Sequence, residues 1–183
     1  TLTWMKTFAK KHNFNVMAGY TMERFQDYWA EAYVENIPSN VPEMRYVSAG
    51  TANMRASGTN EYSSLISYLG RLIYNYDERY YLTASVRIDG SSKFPIGQKY
   101  ATFPSFSAAW RITSESFMQQ QRIFSDLKLR AGWGRVGNQN IDNSVYISSI
   151  GAADYVFGTN ADRIVGTAVS SIGNSTVKWE TVE

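Results

Sequence analysis

Tyr80-Tyr81-Leu82-Thr83-Ala84-Ser85-Val86-Arg87-Ile88-Asp89 sorts its side chains into two sets by position alone. Even positions carry Tyr80, Leu82, Ala84, Val86 and Ile88, and odd positions carry Tyr81, Thr83, Ser85, Arg87 and Asp89. Successive side chains of a strand point to opposite faces, so a period of two predicts a strand with one apolar and one wet face. The same alternation recurs along the chain. Phe106, Ala108, Trp110 and Ile112 oppose Ser105, Ser107, Ala109 and Arg111. Leu127, Leu129, Ala131 and Trp133 oppose Lys128, Arg130, Gly132 and Gly134. Phe14, Val16, Ala18, Tyr20 and Met22 oppose Asn15, Met17, Gly19, Thr21 and Glu23. Tyr68, Gly70, Leu72, Tyr74 and Tyr76 oppose Leu69, Arg71, Ile73 and Asn75. With residues 2–8, these segments predict an all-β chain, an antiparallel meander of about six strands.

The predicted connections alternate in length. Residues 10–13 and 77–79 read as tight turns. Residues 36–60, with Pro38, Pro42, Gly50 and Gly58, read as a long loop, and 90–102 as a shorter polar one. Residues 114–125 read as a moderate connection with a short helix, because Ser114, Glu115, Phe117 and Met118 bring no breaker. Residues 136–178, rich in Gly, Ser, Asn and Ala, read as a long loop. Short turns at one end and long loops at the other describe an outer-membrane barrel.

The two faces differ in charge. The apolar sets contain no charged residue, as expected where an Arg or Lys facing lipid costs about 2–4 kcal/mol at the bilayer midplane. Arg71, Arg87, Arg111 and Arg130 fall on the opposite sets and are predicted to face a wet lumen. Aromatic residues gather near the turns: Trp4 and Phe14 by the first, Tyr74, Tyr76, Tyr80 and Tyr81 by the second, Trp110 and Phe117 by the third. Such rows mark a membrane boundary. Alternation alone also suits a soluble antiparallel sheet with one solvated face.

Bulk composition fits this picture. Charged residues make up only 19% of the 183, and aromatic residues 15%. A net charge of +2 without a basic run gives no case for nucleic acid. The absence of cysteine excludes disulfides and Cys-ligated metals. No apolar run reaches the length of a membrane helix, and no signal peptide opens the sequence. Thr1-Leu2-Thr3-Trp4 reads as strand interior and Val182-Glu183 as an unfinished end, so both ends read as cut.

Several ordered motifs carry a family resemblance. Residues 67–85, Ser-Tyr-Leu-Gly-Arg-Leu-Ile-Tyr-Asn-Tyr-Asp-Glu-Arg-Tyr-Tyr-Leu-Thr-Ala-Ser, run into Arg87-Ile88-Asp89-Gly90-Ser91-Ser92-Lys93-Phe94. Phe103-Pro104-Ser105-Phe106-Ser107-Ala108-Ala109-Trp110-Arg111 follows, then Leu127-Lys128-Leu129-Arg130-Ala131-Gly132-Trp133-Gly134, Gly137-Asn138-Gln139-Asn140-Ile141 and Lys178-Trp179-Glu180-Thr181. Upstream stand His12-Asn13-Phe14-Asn15-Val16 and Gly19-Tyr20. In this series the sequence resembles the barrel of SusC/RagA-type TonB-linked outer-membrane proteins, from about residue 12 to the end. Asn174-Ser175-Thr176-Val177 departs from the family's Asn-Pro-Asp-Leu before Lys-Trp-Glu.

The resemblance implies that residues 1–183 form part of a large transmembrane barrel, without the plug domain and the remaining strands. It implies an importer of oligosaccharides or, second, peptides, working with a SusD-like surface lipoprotein and with TonB. TonB would be reached through the plug. It implies outer-membrane lipid as surroundings, no enzymatic role and no cofactor. Two competing readings are a soluble β-sheet carbohydrate-binding or adhesion module, and a TonB receptor for siderophores or cobalamin.

Other motifs carry less. Gly132-Trp133-Gly134-Arg135-Val136-Gly137 spells a dinucleotide fingerprint, but the polar run after it offers no helix to face a pyrophosphate. His12, the sole histidine, reads as a turn residue. Asp142, Asp154 and Asp162 lack calcium-loop spacing. Glu23, Asp27, Glu31 and Glu35 read as solvated strand-edge or loop charges rather than a glycosidase pair. Tyr28, Trp29 and Tyr33, on the first long extension, and Tyr155 and Phe157, in the last loop, are candidates for stacking on sugar rings or for contacting the lipoprotein. No catalytic or metal-ligating residues are predicted.

Overall fold

The computed structural model describes residues 1–118, 120–121, 123–157 and 162–183. The main sheet has six antiparallel strands in sequence order. These are β1 (Leu2–Phe8), β2 (His12–Glu35), β3 (Ala52–Tyr76), β4 (Tyr80–Ser91), β5 (Tyr100–Arg111) and β6 (Lys128–Gly134). Two smaller pairs accompany them: β7 (Val136–Asn138) with β10 (Glu180–Val182), and β8 (Ser149–Phe157) with β9 (Asp162–Ser171). The chain divides into two units, Thr1–Glu23 with Ser64–Glu183, and Arg24–Ser63.

In the first unit, the register aligns the alternating sets. Tyr68, Gly70, Leu72, Tyr74 and Tyr76 pair with Ile88, Val86, Ala84, Leu82 and Tyr80. Leu82, Ala84 and Val86 continue to Ala108, Phe106 and Pro104, and Phe106, Ala108 and Trp110 continue to Trp133, Ala131 and Leu129. Val16 pairs with Trp4, and Tyr20 meets Tyr68 at 5.3 Å between ring centroids. A slip of one residue at any pairing would mix the faces, and none occurs between β1 and β2, β3 and β4, β4 and β5, or β5 and β6.

Both tight turns use positive φ at consecutive non-glycine positions: Ala9 and Lys10 in one, Asp77 and Glu78 in the other. These are the φ signs of a type I′ turn, whose twist matches that of the flanking strands. Lys11 N–H donates to the Phe8 carbonyl at 3.2 Å, and Arg79 N–H to that of Tyr76 at 2.9 Å.

The buried apolar core is small. Among the described residues it consists of Phe94 (0% exposed), Phe103 (8%) and Trp179 (8%), with Leu65, Ala101, Ile141 and Val177 against it. The Phe94 and Trp179 rings stack at 5.0 Å, and Phe103 meets Trp179 edge-on at 5.5 Å. Trp179 Nε1 donates to the Lys99 carbonyl at 3.0 Å, and Lys93 Nζ to that of Ile141 at 2.8 Å. β7 crosses this cluster closely: a Cβ on Gly137 would lie 2.0 Å from Phe103 Cζ.

The structure corrects four expected boundaries. The strands around the long loop run further than predicted, so that β2 and β3 reach 24 and 25 residues and the connection shrinks to 36–51. The stretch 136–178 is not one loop, since it holds β7, β8 and β9. The predicted helix within 114–125 is replaced by two single 3-10 turns, Ile112–Ser114 and Ser116–Met118; Gln119 and Arg122 lie outside the described residues. His12 opens β2 instead of sitting in the turn, and its Nδ1 lies 2.8 Å from Tyr74 Oη.

Candidate functional site

The apolar face of the main sheet is broad and uncovered. Val86 is 40% exposed, Phe106 51%, Leu129 62% and Trp133 50%. Trp110 and Ala108 are half-buried by their neighbours in the sheet. A soluble sheet must pack such a face against a second layer, and among the described residues no second layer covers it.

Aromatic rings follow the turn end of this face. Phe8 meets Phe14 at 5.8 Å, Phe14 meets Tyr74 at 4.8 Å, and His12 meets Tyr76 at 4.9 Å. Tyr76 stacks with Tyr80 at 6.2 Å, and Tyr80 with Trp110 at 6.5 Å. Polar links beside the rings join the three turns. Asp77 N–H donates to the Lys11 carbonyl at 2.8 Å, and Arg111 N–H to that of Arg79 at 2.7 Å. Glu115, between β5 and β6, accepts from Tyr80 Oη at 2.8 Å and Trp110 Nε1 at 3.0 Å, with Arg79 at 3.5 Å. The donated Tyr80 and Trp110 hydrogens hold the Glu115 carboxyl below the usual carboxylate range, and the Arg79 charge adds to the effect. Sequence reading did not single out Glu115, because its partners lie on two different strands.

The opposite face carries all four predicted arginines, in two chemical states. Arg87 Nε donates to Asp89 at 2.7 Å and its Nη2 to Ser67 Oγ at 3.1 Å. Arg111 Nε donates to Asp126 Oδ1 at 2.9 Å, and that bond, with a second from Thr113 Oγ1, keeps the Asp126 carboxyl below its ordinary range. Arg71 and Arg130 form no ion pair among the described residues. Arg71 and Arg87 line a cavity of about 580 Å³ with Ser85, Asp89, Ser105 and Trp179. Ser85 and Ser105 join across its floor at 2.7 Å.

The five candidate binding aromatics lie on two different strands. Tyr28, Trp29 and Tyr33 lie in the extended part of β2, all exposed, and Tyr33 Oη donates to Glu35 at 2.9 Å. Tyr155 and Phe157 are not in a loop but in β8, with their rings 6.2 Å apart. Asp154, read as a loop residue, also belongs to β8 and pairs with Arg163 of β9. Glu23, Asp27, Glu31 and Glu35 lie within β2 itself. Among the described residues no three His, Asp or Glu side chains gather as they would around a metal ion. No described helix is long and apolar enough to cross a membrane, which says nothing of crossing by strands.

A six-stranded meander with one uncovered apolar face, an aromatic row at its turn end and a wet opposite face is the wall of a transmembrane β-barrel. Known proteins narrow the class. No protein-family model matches the chain. It is 31% identical over 180 residues to TonB-dependent receptor P3 of Formosa agariphila, covering 98% of this chain and 18% of that receptor. It is 39% identical over 123 residues to TonB-dependent receptor SusC of Bacteroides thetaiotaomicron, covering 64% of this chain and 12% of SusC. The RagAB peptide transporter structure shares the fold, with a TM-score of 0.82 at 22% identity over 98% of this chain and 19% of that one. The chain therefore spans less than a fifth of the length of these curated relatives. It belongs to the TonB-dependent receptors of the SusC/RagA type.

Proposed function

We propose that the chain contributes wall and outer extensions to an outer-membrane importer driven by TonB, which takes up oligosaccharides or peptides together with a SusD-like lipoprotein. The uncovered apolar face carries this reading: hydrocarbon is the one environment in which it needs no second layer. The aromatic row from Phe8 to Trp110 is the matching boundary feature. β4 and β5, at 12 residues each, are long enough to cross a bilayer, which takes about 9–11. β2 and β3 exceed that length about twofold, which supports assigning their far halves to the cell exterior.

The polar face then lines the lumen. Arg87 and Arg111 serve the wall, held by Asp89 and Asp126. Arg71 and Arg130 are the cations available to a plug or a passing ligand. Tyr28, Trp29, Tyr33, Tyr155 and Phe157 are the exposed rings offered to cargo or lipoprotein. In the full-length receptor, single cysteines report the two environments. Arg87→Cys and Ser85→Cys should react with a charged thiol reagent, and Val86→Cys and Leu129→Cys should react only with a lipid-soluble one. Equal labelling of all four by the charged reagent ends the membrane reading. Deletion of the gene should abolish uptake of one oligosaccharide or peptide class; loss of siderophore or cobalamin uptake alone would transfer the cargo assignment.

A further inference from the structure

Along the far part of β2 the odd positions read Phe25, Asp27, Trp29, Glu31, Tyr33 and Glu35, so that ring and carboxylate alternate without a break. All six are exposed. Strand rise sets each ring about 7 Å from the next carboxylate, and like groups about 13 Å apart. Glu31, Tyr33 and Glu35 share one side with Arg55 and Ser57 of β3, around a concavity of about 310 Å³. Glu35 is fixed there by Tyr33 Oη at 2.9 Å and Asn53 Nδ2 at 2.5 Å. Asp27 and Glu31 form no ion pair among the described residues.

We propose that this ladder binds extended peptides that carry basic residues, an assignment that rests on the importer reading above. Two arguments select that occupant. The first is register. A peptide lying extended along β2 presents same-side side chains at the strand's own two-residue repeat. Its alternate residues therefore meet ring, carboxylate, ring, carboxylate in step, whatever its length. The second is charge. Glu31 and Glu35 line that concavity with a single guanidinium, Arg55, and Asp27 adds a third carboxylate at an odd position of β2, which favours cations and repels acidic glycans. A guanidinium also suits the rings. In this same unit Arg24 already lies over the Tyr62 ring, 4.9 Å from its centroid. A lysine or arginine of the peptide would sit between two rings with a carboxylate below it, and apolar residues between would rest on Phe25, Trp29 or Tyr33. Neutral sugars can stack on the rings and donate hydroxyls to the carboxylates, but they leave the negative charges uncompensated.

The test uses the full-length receptor in detergent and a fluorescent peptide of Leu-Ser-Arg-Ser repeats, with a Leu-Ser-Glu-Ser peptide and a neutral maltooligosaccharide as comparisons. The wild type should bind the arginine peptide by anisotropy and bind the glutamate peptide at least tenfold more weakly. The preference should shrink as salt rises. Trp29→Ala and Glu31→Gln should each weaken binding about three- to fivefold. Glu31→Lys with Glu35→Lys should reverse the preference toward the glutamate peptide, a gain that misfolding cannot produce. Equal binding of the two peptides by the wild type overturns the proposal. So does a double variant that still prefers arginine, or a maltooligosaccharide that displaces the arginine peptide without salt dependence. These failures leave the importer reading intact if gene deletion still abolishes uptake of a cargo; unchanged uptake of every cargo sinks that reading itself.

Discussion

Trp179 donates its indole N–H to the Lys99 carbonyl at 3.0 Å while its ring stacks on Phe94 at 5.0 Å. One side chain near the end of the sequence thereby pins the β4–β5 connection and closes the only buried apolar cluster among the described residues. Trp179→Ala removes both contacts and leaves a void beside Phe103. Large-to-small changes of this kind cost about 3–5 kcal/mol. Trp179→Phe keeps the stacking and loses one hydrogen bond, worth about 1 kcal/mol. Thermal melting of the full-length receptor should rank the wild type above Trp179→Phe, and that above Trp179→Ala. Identical melting of all three would mean that the cluster does not hold these loops.

Arg87 and Arg71 share a cavity and differ in partners, so they should differ in effect. Asp89 is buried, and Arg87 provides two of its contacts. Arg87→Ala leaves a buried carboxylate without its donor, at a cost of about 1–3 kcal/mol. Arg71→Ala breaks no ion pair among the described residues and should change stability by less than about 0.5 kcal/mol. If cargo or plug uses a cation here, uptake should fall in Arg71→Ala while melting stays put. A destabilised Arg71→Ala with an unaffected Arg87→Ala would reverse these roles.

Glu115 gives the turn end a pH dependence. Its carboxyl lies below the usual range because Tyr80 and Trp110 donate to its charged form. A depressed folded-state pKa stabilises the folded form above the unfolded pKa, near pH 4. That contribution is complete at neutral pH and drains away as acid carries the pH down through the lower, folded value. Melting of the wild type should therefore be flat from neutrality to about pH 5 and decline below about pH 4. Glu115→Gln, compared with the wild type, should be less stable at neutral pH and should converge with it in acid. A constant gap between the two curves at all pH values would remove Glu115 as the source.

The strands that sequence reading placed well are those whose signal is local. In 80–89 and 105–110 each residue announces its face, and the register keeps all of them aligned, whereas Ile112, which continues the same alternation, leaves the strand for a 3-10 turn. The far half of β2 broke that rule. Its odd positions mix rings with carboxylates, and Arg24, Gln26 and Tyr28 on the even positions give no apolar contrast. Gly58 and Pro38 added a loop-like texture, although Gly58 lies inside β3, where a Cβ would come within 2.7 Å of the Trp29 carbonyl. β8 and β9 stayed hidden because Gly151, Ala152, Ala153 and Gly166 are small on both faces. The pairing of β7 with β10 and the burial of Trp179 depend on residues far apart in the chain, for which no periodicity speaks. The four arginines were legible as a face, whereas which of them is paired was not, since Asp126 lies outside the strand pattern.

Val86 and Ser85 are neighbours in β4 on opposite faces, which makes them the sharpest comparison for the membrane reading. Val86 sits midway along the strand, away from the ring row at Tyr80, and is 40% exposed on the apolar face. Ser85 faces Ser105 across the wet side. In lipid, Val86→Arg must place a guanidinium near the bilayer centre and should cost about 2–4 kcal/mol. Ser85→Arg adds a charge to a face that already carries Arg71 and Arg87, and should cost about 1 kcal/mol or less. The measurement is folding of the full-length receptor into liposomes across a denaturant series, with folded protein scored by its electrophoretic shift. In water the ordering would not hold, because an exposed valine on a solvated surface accepts arginine with little effect. Equal folding midpoints for the two variants would thus count against hydrocarbon on the Val86 side, and a penalty confined to Ser85→Arg would turn the sheet around.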